Sequence, residues 1–205
     1  MTRPSTRTIL IAVGTVLGLG VLAAGGWYWT SLTQQRAMAA YAGAMARAEP
    51  AFAPQATAEA RLAAIRELET VLTQHPSGHG AAQVAYQLGN LGYQAQQYAQ
   101  ARGAYELAVA QGAPRTLRAL SQGGVAYTWE AERNYPKAVE SFKTALTGLG
   151  PKDFYYEELL LGLGRAQELA GQKTDAIATY RRALTELTQS RRAEEIRARL
   201  AALGA

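Results

Sequence analysis

The 205-residue sequence contains no cysteine and only two histidines. Without cysteine the chain forms no disulfide, no thiolate metal site and no lipid-modified cysteine, although this absence does not fix its compartment. The two histidines, His75 and His79, are separated by Pro76, Ser77 and Gly78, which predict a turn and not a helix that presents both rings to one zinc ion. We therefore expect no metal site and no cofactor.

Catalytic and phosphate-binding motifs are missing as well. The sequence has no nucleophile elbow, no P-loop and no zinc-protease motif. The segment Gly162, Leu163 and Gly164 lacks the third glycine and the preceding strand of a dinucleotide site. Neighbouring acids such as Glu157 and Glu158 would point to different sides of a helix. We therefore predict that the chain is not an enzyme.

Charge of neither sign dominates the chain. The sequence has 21 basic and 16 acidic residues, with a formal net charge of +5. These residues are interspersed, as on solvated helix faces, and form no basic patch of the kind that binds nucleic acid. Runs of valine, isoleucine and threonine are nearly confined to the N-terminus, whereas alanine, leucine, glutamine, arginine and glutamate fill the rest. This composition predicts an all-α fold.

The longest apolar run lies at the N-terminus. No charged residue occurs from residue 8 to residue 35, and residues 9–29 are mostly apolar. As a helix they would rise about 30 Å, which is the thickness of a bilayer core. The run ends in three aromatic residues of the kind found at the headgroup level: Trp27, Tyr28 and Trp29. We predict a cytoplasmic tail at 1–7 and a transmembrane anchor at 8–30.

A cleaved signal peptide is the alternative, because Arg3 and Arg7 precede the run and small residues occur at 22–25. The run is longer than the apolar core of a signal peptide, which favours the anchor. The basic tail then predicts a single-pass membrane protein with a cytoplasmic N-terminus, whose remainder faces the periplasm or another extracytoplasmic space. Gly14 and Gly18 form a G-x-x-x-G pair that would permit a homodimer, although glycine is common in membrane spans.

A small-aromatic-small pattern recurs three times beyond this run. Its copies, at periods of 37 and 38 residues, are Ala101, Tyr105 and Ala108, then Ala138, Phe142 and Ala145, then Ala176, Tyr180 and Ala183. Offsets of four and seven place each trio on one helix face. Pro114 and Pro151 each follow a trio by six residues and end its helix. The pattern predicts repeat units of two helices each.

Leucine and glycine precede the first and third trios, as Leu88, Gly89, Leu163 and Gly164, twelve residues from glycine to alanine. With these residues the chain resembles the tetratricopeptide repeat family, which places leucine and glycine on the first helix of a repeat and alanine, aromatic, alanine on the second. The resemblance implies an α-solenoid. Its three repeats would lie at 82–115, 119–151 and 157–190, within residues 82–190.

The middle repeat departs from the family pattern. Gly124 fits its first helix only if about two residues are inserted before Ala138, so we expect a longer turn around residues 132–136. A membrane-proximal helix and a degenerate first repeat are predicted at 31–80, with Thr57 as a helix cap. Residues 191–205 predict a capping helix whose apolar side closes the stack.

The resemblance also implies a protein-binding groove lined by the first helices. The positions carried over are Gln83, Tyr86, Asn90 and Tyr93 in the first repeat, Arg118, Ser121 and Val125 in the second, and Glu158, Leu161, Arg165 and Glu168 in the third. Tyrosines among amides and guanidinium groups suit peptide binding. Tyr86 and Leu161 replace the lysines that a clamp for a terminal carboxylate would require.

The layout as a whole is similar to YfgM-type tetratricopeptide proteins of bacterial inner membranes, which are ancillary to the Sec translocon. This similarity implies a membrane-tethered scaffold whose partners are translocon subunits, periplasmic chaperones or secreted chains. Two alternatives stay open. One is an adaptor for another envelope assembly, such as cell-wall synthesis or a secretion apparatus, and the other is an enzyme subunit.

Overall fold

The computed structural model describes the backbone of residues 6–205 and the side chains from residue 19 onward. In this part of the chain nine α-helices and one short 3-10 helix follow one another without a strand. Each helix packs against the next, as in a helical repeat. The helices are α1 (Thr6–Ala48), the 3-10 helix (Glu49–Phe52), α2 (Ala58–Gln74), α3 (Ala81–Gln94), α4 (Tyr98–Ala110), α5 (Arg115–Ala131), α6 (Tyr135–Ala145), α7 (Tyr156–Leu169), α8 (Lys173–Glu186) and α9 (Ala193–Ala202).

Three helix pairs, α3 with α4, α5 with α6 and α7 with α8, share one turn geometry. The connecting turns are residues 95–97, 132–134 and 170–172. Their middle residues all have positive φ: Gln96 and Arg133 at 60° and Gly171 at 75°. In each turn the last amide donates to the carbonyl five residues earlier at 2.8 Å. This bond pattern closes the first helix of each pair in a Schellman-type cap.

The longer turn predicted in the middle repeat is therefore wrong. Ala126 lies twelve residues before Ala138, as Gly89 does before Ala101, and Ala126 is fully buried. The first helix of the middle repeat carries alanine at the position where the other two carry glycine. A methyl group fits there. Aligning Gly124 with the glycines of the other two repeats therefore shifted the predicted register by two residues.

The aromatic residues of the trios fill the space left by glycines on the first helices. A methyl group added at Gly89 would lie 2.5 Å from the Tyr105 ring, and one added at Gly124 would lie 2.6 Å from the same ring. The Tyr180 ring approaches Gly164 equally closely, at 2.6 Å. These helices pack through glycine because no larger residue leaves room for the ring. All nine trio residues are buried, as predicted.

The ends of the stack are formed by the packed helices α1 and α2 and by α9. The Thr57 hydroxyl accepts from the amide of Ala60 at 3.2 Å, which confirms the predicted cap of α2. Helix α2 buries Ile65 and Leu68 against α1 and α3. At the other end, α9 buries Ile196 and Leu200 against the last pair.

The predicted localisation requires a correction. In the part of the chain that the structure describes, none of the helices combines the length and the apolarity that a membrane crossing requires. This finding overturns the single-pass inner-membrane anchor at 8–30, with its cytoplasmic N-terminus and periplasmic repeats. From residue 19 onward the predicted span contains three glycines and two alanines, and most of the aliphatic residues on which the prediction depended precede residue 19. The tail at 1–7 and the pair Gly14 and Gly18 lie outside the residues whose surroundings are described.

Candidate protein-binding site

The first helices of the pairs and α9 form one continuous face, which we call the first-helix face. Helices α3 and α5 contact each other. Side chains then link α5 to α7 through Tyr127 and Glu158, whose hydroxyl and carboxylate oxygens are 2.9 Å apart. Arg192, at the N-terminus of α9, donates to the same Glu158 at 2.8 Å. The face therefore runs from α3 to the C-terminal helix.

Four aromatic residues, Tyr86, Tyr93, Phe154 and Tyr155, form what we call the aromatic strip. Phe154 and Tyr155 precede α7, in the ten-residue connection 146–155. Their ring centroids are 5.3 Å apart, and Phe154 is 89% exposed. Burial raises the pKa of Tyr86, and the nearby Tyr155 phenol raises it further. The strip thus consists of two rings on α3 and two rings at the entrance to α7.

A hydrogen-bonded layer supports the strip from below. The buried Tyr105 hydroxyl donates to Asn90 Oδ1 at 2.9 Å, and Asn90 Nδ2 donates to Gln87 Oε1 at 3.1 Å. The Tyr105 ring also contacts Tyr86, with centroids 5.8 Å apart. Burial keeps the pKa of Tyr105 far above its usual range, so its hydroxyl stays a neutral donor. Asn90 is consequently held in place and positions the residues around it.

The next part of the face carries paired charges, which we call the ion-pair cluster: Glu130, Glu158, Glu168, Arg165, Arg192, Glu195 and Arg199. Arg165 donates to both carboxylate oxygens of Glu130, at 2.8 and 3.1 Å. Burial lowers the pKa of Arg165, but the bonds to Glu130 outweigh it and raise the pKa overall. Such bidentate pairs are the strongest of the common ion pairs. They tie α5 firmly to α7.

The cluster continues into α9. Arg192 pairs with both Glu158 and Glu195, at 2.8 and 2.9 Å. Arg199 reaches Glu168 at 3.5 Å. Burial raises the pKa of the Tyr127 phenol, and the charge of the bonded Glu158 raises it further. Every charged member of this cluster therefore has a partner within the protein itself.

The predicted groove residues are only partly where the resemblance placed them. Gln83, Tyr93, Arg118 and Glu158 are exposed, whereas Tyr86, Asn90, Val125, Arg165 and Glu168 are half-buried. Ser121 is fully buried, and its hydroxyl donates to the carbonyl of Leu117 at 2.8 Å. Leu161 is 5% exposed and packs beside Ile196 in the core. These two side chains are therefore not exposed on the first-helix face.

The register error also caused two residues to be missed. Tyr127 and Glu130 occupy the positions of Asn90 and Tyr93, 37 residues later, and both belong to the face. Val125 instead lines a cavity of about 320 Å³ with residues of α4 and α6. The twelve-residue spacing before Ala138 was the signal that would have found them, had alanine been accepted in place of glycine.

The described residues bring together no three acidic or histidine side chains that could hold a metal ion. What the first-helix face offers is contact area and hydrogen bonds. Neither a protein-family model nor a curated protein matches the sequence.

Proposed function

We propose that this protein is a non-enzymatic scaffold of tetratricopeptide type whose first-helix face binds segments of other proteins. The observation that carries the proposal is the aromatic strip, which places exposed rings on a rigid support of paired helices. Tyrosine and other aromatic residues are enriched at protein interfaces, because they bury a large area at a small cost in conformational entropy.

The rigidity of the support favours the binding of a partner protein over catalysis. Three equal turns and the rings packed on glycine fix the helices, so that a partner meets a surface already formed. The resemblance to YfgM-type proteins adds a class of partners, namely translocon subunits, chaperones or secreted chains. The contacts of the first-helix face support the binding itself, whichever of these it serves.

Two equally exposed positions allow a direct test. Tyr93 lies on the aromatic strip and is 37% exposed, and Leu107 lies on the second-helix side, on α4, and is 36% exposed. A photo-crosslinking phenylalanine derivative replaces one or the other in the full chain, and adducts formed in expressing cells are identified by mass spectrometry. We expect discrete adducts from position 93 and few from position 107. Equal labelling at both positions, or none at position 93, would contradict the proposal.

A further inference from the structure

Helix α1 has two parts with different surroundings. From Ala37 onward its alanines and Tyr41 are buried in one core with residues of α2 and α3. Every residue from 19 to 30 is exposed, and we call these residues the exposed segment of α1. Helices in proteins gain most of their stability from the packing of an apolar face. The exposed segment lacks the contacts that stabilise the rest of α1.

The exposed segment carries large apolar side chains. Six of them are between 62% and 74% exposed: Leu19, Val21, Leu22, Trp27, Tyr28 and Trp29. A soluble monomer rarely exposes a contiguous apolar patch of more than a few hundred Å², and one aromatic side chain buries about 150–250 Å². The three adjacent aromatic residues alone reach that size, so the segment has the character of an interface.

The large residues are distributed unevenly around the helix. Leu19, Leu22, Gly26 and Trp29 follow one another at three, four and three residues, which is the spacing of the contact stripe between two coiled helices. No atom lies within 4 Å of a methyl group added at Gly26, so the backbone is accessible there. Trp27 lies about 200° around the helix from Trp29 and does not belong to the stripe.

We propose that the exposed segment binds the same segment of a second copy of the chain, in a parallel helix pair along the stripe of Leu19, Leu22, Gly26 and Trp29. Equivalent residues of such a pair face each other, so any charge would meet a like charge. No charged residue occurs from residue 8 to residue 35, and this repulsion does not arise. In knobs-into-holes packing the Trp29 ring of each copy lies beside Gly26 of the other, where the missing side chain leaves room.

The available area agrees with that of a dimer. The three large residues of the stripe offer on the order of 300 Å² in each copy, since a tryptophan buries about 150–250 Å² and a leucine less. The α1 backbone continues from residue 19 back to Thr6, about three further turns, and the sequence is uncharged from residue 8. Two copies that lie side by side over both parts reach roughly 1,000 Å², the size of a specific interface.

Single cysteines test the pair directly, because the chain has no cysteine and one introduced thiol can form a disulfide only with a second copy. Gly26→Cys lies on the stripe, and Ala24→Cys is the control about 200° around the helix. A disulfide requires Cα atoms about 4.4–6.8 Å apart, which a parallel pair provides only along its contact stripe. The full-length variants are oxidised at micromolar concentration and separated on a gel without reductant. We expect a dimer band from Gly26→Cys that is about tenfold stronger than that from Ala24→Cys.

The two tryptophans give a second, matched comparison. Trp29 is 67% exposed and lies on the stripe, whereas Trp27 is 73% exposed and does not. Sedimentation equilibrium of the full chain in buffer measures the dissociation constant of the dimer. Trp29→Ala should raise it by about tenfold or more, and Trp27→Ala by less than about threefold. Circular dichroism verifies that both variants keep their helices.

Several results would overturn the inference. A wild-type chain that sediments as a monomer at micromolar concentration, or as open-ended aggregates, would exclude the specific pair. Equal crosslinking at positions 24 and 26, or equal effects of the two tryptophan substitutions, would exclude the stripe. Binding of the chain to phosphatidylcholine vesicles with equal dependence on Trp27 and Trp29 would show that lipid covers the segment, because lipid surrounds a helix on all sides.

The dimer goes beyond the proposed function and does not depend on it. If both are correct, one dimer presents two first-helix faces, and a partner with two binding segments gains from the high effective concentration of the second face. The photo-crosslinking at positions 93 and 107 tests the scaffold proposal separately, so failure of the dimer and failure of the function give different results.

Discussion

The aromatic strip and the ion-pair cluster lie on the same face, on helices of the same design, and yet offer different chemistry. The strip has exposed rings at Tyr93 and Phe154, and within the described residues the hydroxyls of Tyr93 and Tyr155 form no hydrogen bond. The cluster has charges that the protein pairs within itself, such as Arg165 with Glu130. A surface whose charges are paired within the protein stabilises the packing of its helices, whereas a surface with exposed rings is suited to binding a partner.

Equivalent positions show how one scaffold produces both. Asn90, Tyr127 and Arg165 follow one another at 37 and 38 residues, and Tyr127 and Arg165 each bond to a neighbouring first helix. The asparagine receives a bond from a buried tyrosine, the tyrosine bonds a carboxylate and the arginine forms an ion pair. The difference between strip and cluster is therefore a difference of side chains on an unchanged backbone.

Alkaline pH should have the largest effect on the free energy of unfolding, because it places charge on buried phenols in both regions. Burial raises the pKa of Tyr105 below the strip and of Tyr127 and Tyr180 beside the cluster. It also raises the pKa of Tyr156 to about 12. The unfolded chain loses these protons near pH 10, so stability is complete below that pH and falls as the pH rises towards and beyond 12.

Urea unfolding at increasing pH measures this loss, and tyrosinate absorbance reports the ionisation directly. In the native protein these phenols should ionise later than in the urea-unfolded chain. Constant stability from pH 9 to about 12 would show that the phenols are not held neutral by burial.

Substitution of the glycines under the rings tests whether both regions share one rigid support. Gly89→Ala drives a methyl group into Tyr105, and Gly164→Ala does the same at Tyr180, so each should cost about 1–3 kcal/mol of unfolding free energy. Gly103→Ala is the control, since nothing lies within 4 Å of a methyl group there. It should stabilise α4 by about 0.5–1 kcal/mol. An unchanged unfolding free energy in Gly89→Ala would mean that the Tyr105 ring can move away from the added methyl group.

Salt concentration should change the stability cost of a substitution in the cluster but not of one beside the strip. Glu130→Ala leaves the half-buried Arg165 unpaired and should cost about 1–2 kcal/mol, less in high salt than in low salt. Asn90→Ala removes a neutral bond to Tyr105 and should cost about 1 kcal/mol at either salt concentration. Urea unfolding of both variants at two salt concentrations makes the comparison. An equal salt response would contradict the distinction between strip and cluster.

The smallest effects are expected at the shared turns. Gln96 and Arg133 adopt a left-handed conformation that glycine tolerates without strain, so Gln96→Gly and Arg133→Gly should each stabilise the protein by up to about 1 kcal/mol. Gly171→Ala should destabilise it by a similar amount. Thermal unfolding of the three variants provides the test. Destabilisation by Gln96→Gly or Arg133→Gly, or stabilisation by Gly171→Ala, would indicate that the turns are not equivalent in solution.

The sequence predicted the parts of the fold that depend on local pattern. The trios, the cap at Thr57 and the apolar side of α9 all appear where their spacing placed them. Each follows from residues within one or two turns of the same helix, and such patterns can be read without knowledge of distant contacts.

The proposed binding face was predicted less well, for reasons that particular residues make clear. Carrying family positions onto the middle repeat depended on one glycine, and Gly124 was the wrong one because Tyr105 requires glycine from two successive repeats. Ser121 and Leu161 were consequently assigned to the groove although they are buried. Phe154 was missed because no periodic pattern marks a residue in a connection.

By itself, the sequence determined helical pairs of fixed length with buried rings and a closing helix, because helix periodicity and turn residues act locally. Only the tertiary structure decided which side chains meet across repeats. Pairs such as Arg165 with Glu130 and Tyr127 with Glu158 are more than 30 residues apart and depend on how neighbouring helices are aligned. Alignment follows from packing of whole helix faces, in which glycine and alanine differ by one methyl group, and that distinction cannot be read from spacing alone.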